Sequence, residues 1–123
     1  MQVVQRDRLI EEVFNVSDRI RYIAIYDGNV LTMKERSGVK DGSSGESDKY
    51  EELLVNPTLI KLASQRGAID CGGLEYFVIR YGKFYVLLTP FKDGHVNFGM
   101  ELDVNPILMA ESLQAIVKRL SPT

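Results

Sequence analysis

The sequence predicts an α+β fold: one five-stranded antiparallel sheet flanked by helices on both faces, in the order α-β-β-α-β-β-β-α. Three observations carry that expectation. Two strand-rich units, residues 20–36 and 74–103, are each too small to bury a face alone, so one shared sheet is the economical assembly. Three segments with helical apolar spacing precede, separate and follow them. A length of 123 residues, 45% apolar and 26% charged, suits a single domain over 1–123 with one core.

Leu9, Ile10, Val13 and Phe14 recur at i, i+3, i+4 spacing within about residues 2–18. Arg6, Asp7, Arg8, Glu11 and Glu12 fall mostly on the opposite side, so this helix should lie on the sheet through its apolar stripe. Residues 20–26 are β-branched and aromatic and nearly all apolar after Arg21, the pattern of a strand covered on both faces. Asp27-Gly28-Asn29 suits a tight hairpin, and 30–36 is the return strand, ending in Lys34, Glu35 and Arg36. Residues 37–47 hold three glycines and four serines and read as a flexible surface loop.

A helix should follow, with Ser47 or Asp48 as its cap and Tyr50, Leu53 and Leu54 as apolar positions. Asn56-Pro57 reads as a second cap, because proline disfavours helical geometry in the residue before it. Leu59, Ile60, Leu62 and Ala63 then form the next apolar face, up to Arg66-Gly67. That is one kinked helix or two consecutive ones. After Cys71-Gly72-Gly73, strands at 74–81, 84–91 and 95–103 form a meander. It turns at Gly82-Lys83, a type II′ signal, and at Asp93-Gly94. Pro90 belongs at a strand end or bulge. Asn105-Pro106 caps a final helix marked by Ile107, Ala110, Leu113, Ile116, Val117 and Leu120. Segments 20–26 and 84–89, apolar at both parities, belong in the middle of the sheet.

Several function classes are disfavoured. Fifteen basic and seventeen acidic residues leave a net charge of -2, without the basic excess of a non-specific nucleic-acid binder. No apolar stretch approaches the roughly 18 residues of a membrane span, and the start lacks a signal-peptide core. A single cysteine points to a reducing, cytoplasmic setting. His95, the sole histidine, follows a turn with no orienting partner in view and reads as an ordinary polar residue. Cys71 follows a helix C-terminus and Asp70, the wrong place for an activated thiolate, and reads as a small buried side chain. The glycine-rich 38–45 stretch fails the P-loop pattern. Glu51, Glu52, Glu101 and Asp103 read as solvated faces. No cofactor, metal or catalytic constellation emerges, so an enzyme is not expected.

One feature asks for a partner. The element order places 30–36 at one sheet edge and 74–81 at the other. The first is guarded by charge; the second has no lysine or proline. It sets Leu74, Tyr76 and Val78 on one face and Phe77, Ile79 and Tyr81 on the other. Such an edge aggregates unless covered, and the simplest cover is a second copy across a two-fold axis. Centring that pairing on Val78 would set Tyr76 against Arg80 of the mate, a cation–π geometry. Leu74, Tyr76, Val78 and Arg80 are therefore the candidate dimer-interface residues.

The same element order, with a glycine/serine loop after the second strand, resembles the Roadblock/LC7 superfamily over roughly Arg6 to Leu120. The run Ile23-Ala24-Ile25-Tyr26-Asp27-Gly28-Asn29-Val30 is similar to that family's first hairpin. Residues 50–57 are also similar to an uncharacterised archaeal branch. The resemblance implies a non-enzymatic homodimer with its interface on the third strand and middle helix, a scaffold or regulator of a small Ras-like GTPase or larger complex. The alternative is a small-molecule sensor of GAF/profilin-like architecture, with its pocket beneath the 37–47 loop.

Overall fold

Alternation along the strands divides the sheet into two chemically different faces, and each face recruits different helices. The computed structural model describes residues 1–39 and 42–121. Its elements are α1 (Val3–Val16), β1 (Ile20–Tyr26), β2 (Leu31–Glu35), α2 (Gly45–Tyr50), a π-helical turn (Glu51–Val55) and α3 (Asn56–Asp70). They are followed by β3 (Phe77–Arg80), β4 (Tyr85–Phe91), β5 (Gly94–Met100) and α4 (Pro106–Leu120). The antiparallel sheet runs β2-β1-β5-β4-β3, so the edges are the two expected and β1, β5 and β4 are interior.

Ile23 pairs with Phe98, Phe98 with Leu87, and Leu87 with Val78, which puts all four on one face. Leu9, Ile10 and Val13 of α1 and Ala110, Leu113, Val117 and Leu120 of α4 close over that face as the main core. The opposite face carries Tyr22, Gly99 and Val86 in one row and Ala24, Asn97 and Leu88 in the next. The middle helix, α2 through α3, covers it.

Local chemistry explains most boundaries. Asn105 caps α4 as expected, its Oδ1 accepting from the Ile107 and Leu108 N–H groups at 3.0 and 3.3 Å. Asp27 Oδ1 accepts from the N–H groups of Asn29 and Val30, both at 2.9 Å, which closes the β1–β2 turn over Gly28. The β4–β5 loop is Lys92-Asp93, one residue earlier than expected, because Phe91 pairs with Gly94 and Asp93 takes a φ of 66°. Glycine is obligatory at the next position. A Cβ on Gly94 would lie 2.2 Å from the Tyr26 carbonyl oxygen. Gly94→Ala is expected to destabilise the fold by about 1–3 kcal/mol, read as a lower urea midpoint. The β3–β4 turn falls at Gly82-Lys83, but Gly82 is not among the residues of positive φ, so it is not the type II′ turn expected.

Three expectations change at the middle helix. It starts at Gly45, with the Ser44 hydroxyl accepting from Ser47 N–H, so neither Ser47 nor Asp48 is the cap. Lys40 and Asp41, within the loop expected over 37–47, lie outside the described residues. Asn56 does not interrupt the helix: it is helical despite the proline that follows. Its N–H reaches the carbonyl of Glu51, five residues back. Beyond α3, Gly72 and Gly73 take φ of 81° and 94° and turn the chain sharply back. Gly67 leaves room for this return, since a Cβ there would meet Gly73 C at 3.2 Å and Leu74 N at 3.3 Å. Among the described residues, no helix is long and apolar enough to cross a membrane.

Candidate functional site

The middle helix is built inside out around its π-helical turn, while Leu59, Ile60 and Ala63 of the expected α3 face are half-buried and Leu62 is not. The buried residues of its α2, π-turn and α3 segments are Glu52, Asn56 and Gly67. Tyr50, Leu53, Leu54, Leu62 and Ile69, which an apolar pattern would turn inward, are instead exposed by 49–76%. Two sites arise from that inversion: a polar cluster beneath the helix and an apolar surface above it.

Glu52, wholly buried, is the centre of the cluster. Its Oε1 lies 2.8 Å from both Asn56 Nδ2 and His95 Nε2. Its Oε2 accepts from Asn97 Nδ2 at 2.7 Å and from the Tyr22 hydroxyl at 3.0 Å. With two polar neighbours on each oxygen, Glu52 uses the full capacity of a carboxylate, and the His95 tautomer that completes the set carries its proton on Nε2. Gly99 makes room for the Tyr22 ring: a Cβ there would lie 3.3 Å from Tyr22 Cβ. Burial above all, then the Glu52 charge, pushes the Tyr22 hydroxyl far above its ordinary value, so it stays a donor. Glu51 also accepts from Asn97 Nδ2, at 3.1 Å, and its carboxyl is pushed up to about 7 by burial first and by Glu52 and Asp48 next.

The expectation that Glu51 and Glu52 lie on a solvated face is therefore wrong for Glu52, and His95 is no ordinary turn residue. The sequence does contain a trace of this. Glu52 and Asn56 stand four apart on one helix side, and His95, Asn97 and Gly99 alternate onto one strand face. Cys71 also departs from expectation: it is exposed, with its Sγ 3.3 Å from Asp70 Oδ1.

The residues expected at the dimer edge are separated by the structure. The strand begins only at Phe77, because the chain leaving Gly73 first runs along the end of α3, so Leu74 and Tyr76 precede it. Tyr76 and Val78 are half-buried against the main core, and Arg80 is exposed. The Arg80 guanidinium lies 5.7 Å from the Tyr85 ring of its own chain and donates to the Tyr81 carbonyl. Among the described residues β3 pairs only with β4, which leaves its outer edge open.

Among the described residues, no group of histidine, cysteine and carboxylate side chains is placed to hold a metal. The space beside Gly42 and Ser43, over Tyr22 and Glu51, is about 20 Å³, room for one water molecule.

Between 92% and 98% of the chain superposes on solved structures of low sequence identity. It covers 92% of itself and 92% of the Roadblock/LC7 domain from Streptomyces avermitilis, with a TM-score of 0.67 at 10% identity. The chain has the Roadblock/LC7 fold. The gliding protein mglB from Thermus thermophilus shares that fold, with a TM-score of 0.66 at 12% identity over 94% of this chain and 87% of that one. LokiProfilin1, solved in complex with rabbit actin, matches at 0.59 and 17% identity over 98% and 96%. No family model and no curated protein matches the sequence. In this Roadblock/LC7 fold the open edge is β3, and Tyr50, Leu53, Leu54, Leu62 and Ile69 are exposed on the helix that leads into it, while Val3 and Val4 of α1 and Ile107 and Leu108 of α4 are exposed elsewhere.

Proposed function

We propose that the chain is a non-enzymatic protein-interaction module, one domain over 1–123, that pairs with a second copy and acts as a scaffold or regulator of a small Ras-like GTPase. The inverted middle helix carries this reading. Tyr50, Leu53, Leu54, Leu62 and Ile69 face outward, so their apolar surface adds little to the monomer and is left for a partner. The chain leaving α3 folds back along it, Gly73 N–H donating to the Gly67 carbonyl at 3.1 Å, and enters the open-edged strand β3 three residues beyond Leu74. A second copy related by a two-fold axis covers both at once, with Leu74, Tyr76, Val78 and Arg80 at the strand contact. Other chains of this fold also meet proteins: MglB has been solved in a tetrameric arrangement, and LokiProfilin1 with actin. The GTPase is the partner class implied by the Roadblock/LC7 resemblance, and the single cysteine fits a cytoplasmic setting.

Light scattering at tens of micromolar tests the pairing, with a dimer mass expected and a monomer overturning it. Leu54→Lys is expected to raise the dimer dissociation constant at least about thirtyfold, the equivalent of an interface residue worth about 2 kcal/mol. Because Leu54 is 54% exposed, its unfolding midpoint should barely move when measured below the dimer dissociation constant. Val78→Lys is a poorer probe, since Val78 also packs on the core. Retention of a Ras-like GTPase on the immobilised wild-type chain and its loss with Leu54→Lys would test the partner class.

A further inference from the structure

We propose that the acidic cluster under the π-helical turn makes self-association pH-dependent, favouring the pair with Glu51 protonated and weakening it once Glu51 ionises. This rests on the self-pairing reading above. The geometry is a shared donor between neighbouring carboxyls: Asn97 Nδ2 lies 2.7 Å from Glu52 Oε2 and 3.1 Å from Glu51 Oε1. Glu52 is saturated by four contacts and cannot withdraw, so a second negative charge on Glu51 meets a fixed one.

The carboxyls facing Glu51 reinforce that asymmetry, against the Asn97 donor, which favours the ionised form. Asp48 lies on the preceding turn, and Glu35 of β2 lines the same small space. From β1 come Tyr22, already committed to Glu52, and Arg21, whose guanidinium bonds Glu101 at 2.9 Å and covers the Phe84 ring. From β5 come Asn97 and His95, the latter bonded to Glu52, and Tyr81 stands at the end of β3. Burial, Glu52 and Asp48 together hold the Glu51 carboxyl at about 7, so its proton is exchanged near neutrality. The turn that holds this proton also carries Tyr50, Leu53 and Leu54 on its outer side. Ionisation pushes Glu51 away from Glu52 and disturbs the backbone that presents them.

Sedimentation velocity between about pH 6 and about pH 8.5 tests the inference on the wild type, Glu51→Gln and His95→Gln. The wild-type dissociation constant is expected to rise about tenfold, the effect of about half a pKa unit at each of the pair's two Glu51 side chains between free and paired forms. Glu51→Gln should be flat within about twofold. His95→Gln, which keeps a donor for Glu52, should retain the rise. A flat wild type, an unchanged slope in Glu51→Gln, or a slope abolished only by His95→Gln overturns the inference. Absence of a dimer at every pH overturns the pairing reading instead. Hydrogen exchange over residues 45–56, corrected for intrinsic rate, then decides the switch by itself. Protection should fall across the same range in the wild type and stay level in Glu51→Gln; equal behaviour would sink it.

Discussion

Replacing Glu52 with alanine is expected to lower the unfolding free energy by about 3–5 kcal/mol, as when one partner of a buried charged network is removed. The carboxylate gathers contacts from α3, β1 and β5 onto two oxygens with no exposure to water. Without it, the Tyr22 hydroxyl and the His95 Nε2–H lose their acceptor inside the protein, each at a penalty of about 1–3 kcal/mol. Glu52→Gln separates charge from shape. It fills the same volume but turns one acceptor oxygen into a donor facing donors, so about half the alanine effect is expected. Urea midpoints of the wild type and both variants check this. A Glu52→Ala protein within about 1 kcal/mol of wild type would mean that the network contributes nothing to the fold.

A comparable loss, again about 3–5 kcal/mol, is expected for Arg6→Ala. The Arg6 side chain is 5% exposed, and its guanidinium joins α1 to the β1–β2 hairpin. It donates to Asp27 Oδ2 at 2.6 Å, Thr32 Oγ1 at 3.0 Å, and the Ile25 and Val30 carbonyls at 3.2 Å each. Burial alone would raise the Asp27 carboxyl. The Val30 and Asn29 N–H groups, the terminal ammonium and Arg6 outweigh it and hold the carboxyl well below the usual range. A lowered folded value means that stability is present in full above the ordinary value of 3.8 and is lost as pH falls through it toward the folded one. Wild-type urea midpoints should therefore drop between about pH 5 and about pH 2.5, and the drop should be shallower in Arg6→Ala.

Arg6 and Glu52 mark the limit of what is legible in the sequence. Element order, both sheet edges, the Asn105 cap and the outline of the hairpins follow from signals within a few residues: apolar period, turn glycines and proline after a capping side chain. Those signals are local, and the structure agrees with them. Periodicity, however, assigns a buried face by assuming that it is apolar. Applied to the middle helix it turns Tyr50, Leu53 and Leu54 inward, whereas the buried side is Glu52 and Asn56, saturated by groups on distant strands. The contacts to His95 and Asn97 span 43 and 45 positions, beyond any window that reads a pattern along the chain. Arg6 falls among solvated charges for the same reason, because its acceptors come from a hairpin about 20 residues on. Cys71-Gly72-Gly73 is visible as a break; its role in folding the chain back along α3 requires Gly67, which lies a turn earlier.

The π-helical turn at Glu51–Val55 has a geometric consequence for the whole middle segment. An ordinary helix advances about 100° per residue, and a turn closing on the fifth residue rather than the fourth admits one residue more. Everything downstream of Val55 is thus rotated by about that angle relative to α2. Deleting one residue between 51 and 55 would reset the phase, swinging the side chains of Leu62 and Ile69 around the axis relative to Tyr50 by about that angle. The relative placement of those greasy side chains along two helical segments is a property of one extra residue.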